Sequence, residues 1–400
     1  MTMTETLFAR ASRVFEGWQD EETGLKVLFL TPKERMSDYG LPTEQCLMMP
    51  YQQCWPFLEG GRKVRLQAET RVKSSLRPPA RLLDLETGKL LSPWEHWGSV
   101  GDCNDTTNTV SYRIPTERGI IIGIQDFHTG KDIVRHEVVI DDGWKFGNSH
   151  ILGDGRRLVF FKWRGKFYEE YVQTETFVLD ESGYREVLTG DGYWCNHYWY
   201  NPADHNLFAY NRWPCPKRDV DQVIHVCSAD GSFHEIAKLD DNALRPADMW
   251  GVRDHYIWTA DGKRIVSYLC PHKIVLDENF NHFLLNWHLS ALDWRTGEDL
   301  CAAYPPDRWN GMMQTTPDSR YVVAAGRGSF RKVYAVNIEG LRDGWNERVL
   351  CNLPRSEYIG KNGEPQHMPV ALPDGSGVLF DAGWPGDGHG TYLVEWPADM

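Results

Sequence analysis

Four histidines occupy similar places along this sequence, each a few residues ahead of an Asp-centred turn: His150, His197, His255 and His367. The ordinary pKa of imidazole lies nearest to neutral pH, so histidine suits acid–base chemistry, and neutral imidazole also binds divalent metals. If the fold brings these side chains together, they predict an acid–base or metal site. The alternative is that each histidine only caps its own strand.

Two kinds of turn repeat along the chain, out of phase with each other. The first kind precedes an alternating apolar strand at intervals of roughly 45 to 60 residues, close to the period of propeller blades. Its seven copies are Glu59-Gly60-Gly61, Glu117-Arg118-Gly119, Asp154-Gly155, Asp204, Asp261-Gly262, Asp318-Ser319 and Asp374-Gly375. The second kind reads apolar-Asp-x-x-Thr-Gly or a shorter version, and its copies start at Leu83, Ile140, Leu179, Cys227, Leu292 and Val336.

A seventh copy of the second turn lies at the other end of the chain, in QDEETGLKVLFL from Gln19. We therefore expect the strand around residues 25–30 to complete the sheet that ends with residues 391–396, which removes the exposed sheet edges. The predicted fold is all-β, a seven-bladed β-propeller closed by the N-terminal strand pairing into the C-terminal blade. Residues 1–18 are predicted as an N-terminal extension and 19–400 as the single propeller domain.

Composition narrows the classes of partner. The net charge of −13 argues against nucleic acid or an anionic membrane surface as the main partner. The N-terminus has no apolar stretch typical of a secretory signal, and no apolar run could span a bilayer, so we expect a cytoplasmic protein. The 9 cysteines show no paired CxxC spacing, which favours buried free thiols over disulfides or zinc. The sequence leaves the oligomeric state open.

The position just ahead of each first-kind turn faces the central channel in a propeller. Around the ring this position is predicted to hold Gln52 or Gln53, the stretch 104–108, the first three histidines, the stretch 312–314 and His367. Side chains far apart in sequence would then meet at one axis, the expected form of a metal or acid–base site.

Several segments resemble the oligogalacturonate lyases, which are seven-bladed propellers of pectin breakdown (polysaccharide lyase family 22). QDEETGLKVLFLTP is similar to the family's N-terminal segment, and YQQC from Tyr51 to its Tyr-Gln-Lys-Cys blade start. His197 with Pro202 resembles a His-Pro-x-x-x-Arg-Pro strand, and DHYIWTADG resembles the Thr-His-Glu-Phe-Trp-x-x-Asp-Gly segment. QHMPVALPDGSGVLF looks like the closing His-Pro-His-Pro segment.

This resemblance implies specific roles. The family's Brønsted base falls on His255, and an arginine one strand earlier neutralises the substrate carboxylate. Here that position lacks an arginine, and Arg212 and Arg218 are the nearest replacements. The family's manganese ligands are a histidine in the next blade and a glutamine and two histidines in the last.

The family's metal ligands are only partly present in this chain. The next-blade histidine falls at Met312 or Met313, with Gln314 nearest, and the closing segment keeps His367 beside Gln366 and Met368. The base position therefore matches better than the metal site.

Two ways of neutralising a uronate carboxylate remain open. His150, His197, His367 and Gln366, with Gln314, could hold a divalent ion, manganese by resemblance. Alternatively, Arg212, Arg218 or Arg253 could form an ion pair without metal. For substrate binding the candidates are Gln52, Arg253 and the flat faces of Tyr198, Tyr200 and Trp213, although such rings also serve as blade core.

The sequence supports three hypotheses about function. The first is a lyase that cleaves short, small anionic uronate oligosaccharides of the oligogalacturonate type by β-elimination. The second is a lyase or hydrolase acting on another uronate glycan, of the ulvan or glucuronate type. The third is a non-catalytic propeller that serves as a binding scaffold, because this fold carries many unrelated functions.

Overall fold

The computed structural model describes residues 5–32, 46–49, 55–69, 80–91, 100–166, 171–214, 223–237, 252–270, 287–305, 312–326, 330–353, 368–384 and 388–400. These residues form seven antiparallel β-sheets, each of four or five strands. The predicted seven-bladed β-propeller is confirmed. No helix in the described ranges is long and apolar enough to cross a membrane.

In the part of the chain that the structure describes, one short α-helix, α1 (Leu7–Ala11), precedes the strands. The first fifteen are β1 (Gly17–Gln19), β2 (Lys26–Phe29), β3 (Cys46–Met48), β4 (Phe57–Leu58), β5 (Lys63–Glu69), β6 (Ala80–Asp84), β7 (Leu90–Leu91), β8 (Val100–Asn104), β9 (Thr109–Pro115), β10 (Gly119–Asp126), β11 (Asp132–Val139), β12 (Trp144–Ile151), β13 (Leu158–Arg164), β14 (Gln173–Asp180) and β15 (Gly183–Asp191).

The remaining strands are β16 (Tyr193–Tyr200), β17 (Leu207–Pro214), β18 (Val223–Ser228), β19 (His234–Ile236), β20 (Val252–Trp258), β21 (Arg264–Cys270), β22 (His288–Asp293), β23 (Asp299–Ala303), β24 (Met313–Thr315), β25 (Tyr321–Ala325), β26 (Lys332–Asn337), β27 (Glu347–Asn352), β28 (Val370–Ala371), β29 (Gly377–Trp384) and β30 (Gly388–Glu395). Five sheets use four consecutive strands each: β8 to β11, β12 to β15, β16 to β19, β20 to β23 and β24 to β27. Another contains β3 to β7.

The seventh sheet joins the two ends of the chain, in the order β1-β2-β30-β29-β28. Val27 pairs with Val394 and Phe29 with Tyr392, and the last two rings stack 4.5 Å apart. The N-terminal strand therefore completes the C-terminal blade, as predicted. Helix α1 precedes the N-terminal strand, and the backbone N–H of its Leu7 donates to the Asp374 carboxylate at 2.7 Å. This hydrogen bond holds the helix against the turn between β28 and β29 of the same sheet.

The Asp-x-x-Thr-Gly turn is one structure repeated four times, at Asp20, Asp84, Asp126 and Asp293. In each copy an Asp Oδ1 accepts the threonine backbone N–H at 2.7–3.0 Å, and the glycine N–H donates to the Asp carbonyl at 2.8–2.9 Å. The glycine has a φ of 66–84°, where side chains are disfavoured. This motif closes the hairpin between the third and fourth strands in three sheets and between β1 and β2 in the seventh.

One blade was read wrongly from the sequence. The turn Glu117-Arg118-Gly119 joins the second and third strands of its sheet, β9 and β10, and the segment from Ile140 lies between two sheets. The equivalent first turn starts at Asn104, whose Oδ1 accepts from the N–H of Thr106, and the missed second turn is Asp126–Gly130. An asparagine replaces aspartate in the first, which concealed the repeat.

The chain divides into two compact units. The first contains residues 1–108, 307–337 and 346–400, and apolar clusters there include Leu7, Met312 and Met368 in one and Val27 with Tyr392 in another.

The second unit contains residues 109–306 and 338–345, with three clusters rich in aromatic rings. Trp199, Tyr256, Trp258 and Trp294 share one of these clusters. The histidines of the candidate site in this unit therefore lie on strands that pack through large buried aromatic rings.

Candidate functional site

Two imidazoles of the second unit lie beside each other. His197 on β16 and His255 on β20 have ring centroids 5.7 Å apart, and both residues are partly exposed. The Tyr256 hydroxyl donates to the backbone carbonyl of His197, so the two strands are linked where the imidazoles meet. The structure thus brings together two of the four histidines that the sequence singled out.

Both histidines sit in β-bulges. In β16 the pairing jumps from Asn196–Asn211 to Trp199–Ala209, so His197 and its neighbour oppose a single residue of β17. In β20 the same jump occurs around His255. The φ angles are 55° and 44°, a left-handed backbone that costs roughly 1–3 kcal/mol for residues other than glycine. Bulges with strained backbone re-aim side chains and are frequent at functional sites.

His150 does not share this position. The N–H groups of Leu152, Asn201 and Thr259 close equivalent turns at 2.8–2.9 Å, and the residue four places before each is Asn148, His197 and His255. His150 lies two places later, on β12, and aligns with Trp199, which is buried. The sequence prediction put His150 at the position of His197 and His255, but His150 stands two residues before its turn and the other two stand four before theirs.

The same spacing of four residues before the turn-closing N–H identifies the equivalent positions in the first unit. The closing N–H groups of Thr316 and Leu372 place Met312 and Met368 in the equivalent position, and both are buried in an apolar cluster. Gln314 lies two places beyond it, and His367 one place before it in sequence. The predicted stretch 312–314 thus contains the equivalent residue, but that residue is the buried Met312, and Gln314 is not the equivalent of His255.

The described residues do not form a manganese site. Gln314 is 4% exposed and its Oε1 accepts the N–H of Thr315, while His150 is also 4% exposed. Within the described ranges no group of three or more His, Cys, Asp or Glu side chains is close enough to hold a metal. Two of the predicted ligands, Gln366 and His367, lie outside the described residues.

Of the three arginines predicted to bind a carboxylate, the structure describes the side chain of one. The Arg212 guanidinium lies 3.6 Å from the ring centroid of Tyr193, a close cation–π contact. Arg218 and Gln52 lie outside the described residues. For Trp213 and Arg253 the structure gives backbone positions in β17 and β20.

A polar neighbour lies against the imidazole of His197. Nδ2 of Asn211, the residue beside Arg212 on β17, lies 3.4 Å from Nδ1 of His197. The contact links the ring of His197 to the strand that pairs with its own.

The predicted sugar-stacking rings differ in exposure. Tyr198 is completely buried, its hydroxyl lies 2.6 Å from that of Thr176, and burial raises its pKa well above the usual value. This ring is blade core rather than a surface for a ligand. Tyr200 is partly exposed at the far end of β16 and packs against the same core.

Outside this site, three side chains form a hydrogen-bonded cluster that was not predicted from the sequence. His225 Nδ1 and the Tyr210 hydroxyl lie 3.0 and 2.8 Å from His234 Nε2. Burial, then the charges of His234 and Arg212, lower the pKa of His225 to about 3, and burial and Arg212 lower that of His234. These residues sit on β17 to β19, and no motif in the sequence predicts their pairing.

The imidazoles of His225 and His234 point at each other rather than at a common third atom. Their centroids are 5.0 Å apart and the nitrogens 3.0 Å, so the nitrogens lie nearly on the line between the rings. That is the geometry of an N–H···N hydrogen bond. We assign this pair a structural role.

Comparison with known proteins identifies the fold. No family model and no curated protein sequence matches the chain. A solved oligogalacturonate lyase in complex with manganese has a TM-score of 0.68 and 17% identity, over 96% of this chain and 97% of that one. Hydrazine synthase of Kuenenia stuttgartiensis has a TM-score of 0.51 and 13% identity, over 88% and 96%.

An acylaminoacyl peptidase of Pyrococcus horikoshii has a TM-score of 0.52 and 12% identity, over 92% of this chain and 52% of that one. Similar structures thus include a lyase and a peptidase, enzymes with unrelated reactions. At such low identity the similarity establishes a shared propeller fold, and the chemistry must be argued from this chain's own side chains.

Proposed function

We propose that this protein is a lyase that cleaves uronate-containing oligosaccharides of the oligogalacturonate type by β-elimination, with His255 as the base. The observation that carries the proposal is the pair of partly exposed imidazoles, His197 and His255, each held by a strained bulge. A strain of this size persists only where the surrounding structure enforces it, and such strain is concentrated at active sites. The solved lyase with the same fold adds support.

The reaction requires one base and one electrostatic partner. His255 takes the proton from C5 of the uronate, the electron pair of that C–H bond forms the C4=C5 double bond, and the C4–O bond breaks. The leaving oxygen gains a proton from water, His255 returns its proton to the solvent, and the products are an unsaturated uronate and the chain released at C4. The C5 proton is weakly acidic, so the adjacent carboxylate must be neutralised as negative charge develops.

Two further groups have roles in this scheme. Arg212 lies on β17 with its guanidinium over Tyr193, and of the three predicted arginines it is the one whose side chain the structure describes, so it is assigned to the carboxylate. His197, whose ring lies 5.7 Å from that of His255, is assigned a hydrogen bond to a substrate oxygen. The described residues do not fit a manganese ion, and no step of this scheme runs through a metal.

The test is a product assay on a panel of uronate oligosaccharides: oligogalacturonates, ulvan fragments and glucuronate-capped oligosaccharides. Ultraviolet absorbance reports the conjugated double bond. We expect absorbance to rise with oligogalacturonates in the parent protein and not with His255→Ala. Activity on the ulvan fragments or the glucuronate-capped oligosaccharides alone would assign the lyase to that substrate class instead. Absence of unsaturated product from every member would refute the lyase and favour a binding scaffold, and full activity of His255→Ala would refute His255 as the base.

A further inference from the structure

Two asparagine amides beside the histidine pair each keep a buried polar atom without a partner. Asn196 on β16 and Asn211 on β17 are directly opposed across the two strands, so their Cβ atoms lie about 5 Å apart on one face. Asn211 is 0% exposed and Asn196 is partly exposed. Among the described residues, neither buried Oδ1 atom has a hydrogen-bond partner. Unpaired buried polar atoms are costly, which indicates a bound group that hydrogen-bonds both amides.

The amide pair faces the blade that carries His255. Side chains alternate between the two faces of a strand, so Asn211 shares its face of β17 with Ala209, two residues before it. Ala209 packs in one apolar cluster with Tyr256, the residue that follows His255 on β20. Nδ2 of Asn211 also lies 3.4 Å from Nδ1 of His197. A group bound to the two amides therefore lies next to the imidazoles that the proposed reaction uses.

A hydroxyl group fits the amide pair better than an ion does. A hydroxyl both donates and accepts, so it satisfies an amide through its oxygen or through its nitrogen. An anion is repelled by amide oxygens, and two neutral amides supply no charge to balance a cation. Because Asn196 is partly exposed, as His197 and His255 are, a ligand at the imidazoles reaches the pair from the same surface.

We infer that Asn196 and Asn211 bind one hydroxyl group of the uronate residue that lies at His255. The inference rests on the proposed function, because the substrate class supplies the hydroxyl. A uronate within a chain keeps its hydroxyls at C2 and C3, since C1 and C4 carry the glycosidic oxygens. A site built to hydrogen-bond a hydroxyl rejects an analogue that lacks it, because the buried amides then stay unpaired. The two asparagines thus select the sugar by its hydroxyl pattern rather than by its charge.

The experiment is a cycle between the protein amide and the sugar hydroxyl, in the His255→Ala protein, which does not consume the ligand. The probes are the methyl glycosides of galacturonate, 2-deoxygalacturonate and 3-deoxygalacturonate, and calorimetry measures their dissociation constants. We expect one deoxy analogue to bind about 10-fold more weakly than the full glycoside, the scale of one hydrogen bond. Adding Asn196→Leu should reduce that difference to about 3-fold or less, because the hydroxyl has lost a partner.

Asn206→Leu is the matched control. The amide oxygen of this asparagine, in the same blade, already accepts from Arg157 at 2.8 Å, so the 10-fold difference should remain. Equal affinity for the three glycosides, or a difference unchanged by Asn196→Leu, overturns the inference. So does a crystal structure of the liganded protein with only an ordered water between the amides. If the unmodified protein still yields unsaturated product, only the hydroxyl site fails; if it binds no glycoside and yields no product, both proposals fail.

Discussion

Two histidine pairs in one unit of this protein differ in backbone geometry and in the contact between their rings. His197 and His255 are partly exposed, sit at positive φ and lie with their rings 5.7 Å apart. His225 and His234 lie on β18 and β19, and their ring nitrogens are 3.0 Å apart. His225 is 2% exposed and its partner His234 is exposed, whereas both members of the first pair are partly exposed.

The comparison teaches that residue type alone does not select a function. All four side chains are histidines on propeller strands, and one feature separates the pairs: a bulge at each member of the first pair, which re-aims its side chain. This feature comes from the register between each strand and the next one along the chain.

The largest expected effect is on turnover. His255→Ala should lower kcat at least about 100-fold, because a positioned general base contributes 10²–10⁴-fold. His225→Phe, which keeps a ring against Tyr210, should retain the parent rate. Steady-state rates on oligogalacturonate for both variants test this, with circular dichroism to show that each is folded. Comparable losses in the two variants would remove the functional distinction between the pairs.

The next effect is on acid stability. The pKa of His225 is about 3 when folded and about 6.5 when unfolded, so between these values the unfolded chain binds more protons. Stability is therefore fully present above pH 6.5 and falls as the pH decreases toward 3. Between pH 6.5 and 5 the loss is up to about 2 kcal/mol.

Denaturant unfolding at these two pH values measures the loss, in a range above the pKa of most carboxyl groups. His225→Phe should show a smaller decrease than the parent protein, since the variant has no imidazole to protonate at this position. His255→Ala should show the parental decrease. Parallel pH profiles for His225→Phe and the parent would mean that the buried imidazole is not the acid-sensitive group.

Much of the fold could be read from the sequence, because its signals are local. An Asp-x-x-Thr-Gly segment specifies its own turn, since the carboxylate and the glycine act within five residues. The copy at Asp20 also predicted that the N-terminal strand pairs with the C-terminal blade. The bulges could not be predicted, because they depend on which residues of β17 and β21 face them. For the same reason His150 was misplaced, and the pairing of Asn196 with Asn211 was not foreseen: it depends on the register of two strands.

A smaller effect concerns the backbone itself. At φ 44° an alanine is strained and a glycine is not, so His255→Gly should be more stable than His255→Ala by about 1 kcal/mol. At His225, in a regular strand, the order should reverse by roughly 0.5–1 kcal/mol, because glycine loses more entropy on folding. Denaturant midpoints of the four variants give both differences. Within each pair the same imidazole is removed, so the lost contacts largely cancel. A more stable alanine variant at both positions would show that the bulge stores no strain.

The smallest effect is expected at His150, which separates the register argument from the sequence spacing. His150→Gln should change kcat by less than about 3-fold, because this residue lies two places beyond the position of His197 and His255 and is 4% exposed. Kinetics at saturating oligogalacturonate measure it, with the melting temperature reporting any structural cost. A loss as large as that of His255→Ala would mean that His150 reaches the reacting sugar, and that the sequence spacing was the better guide.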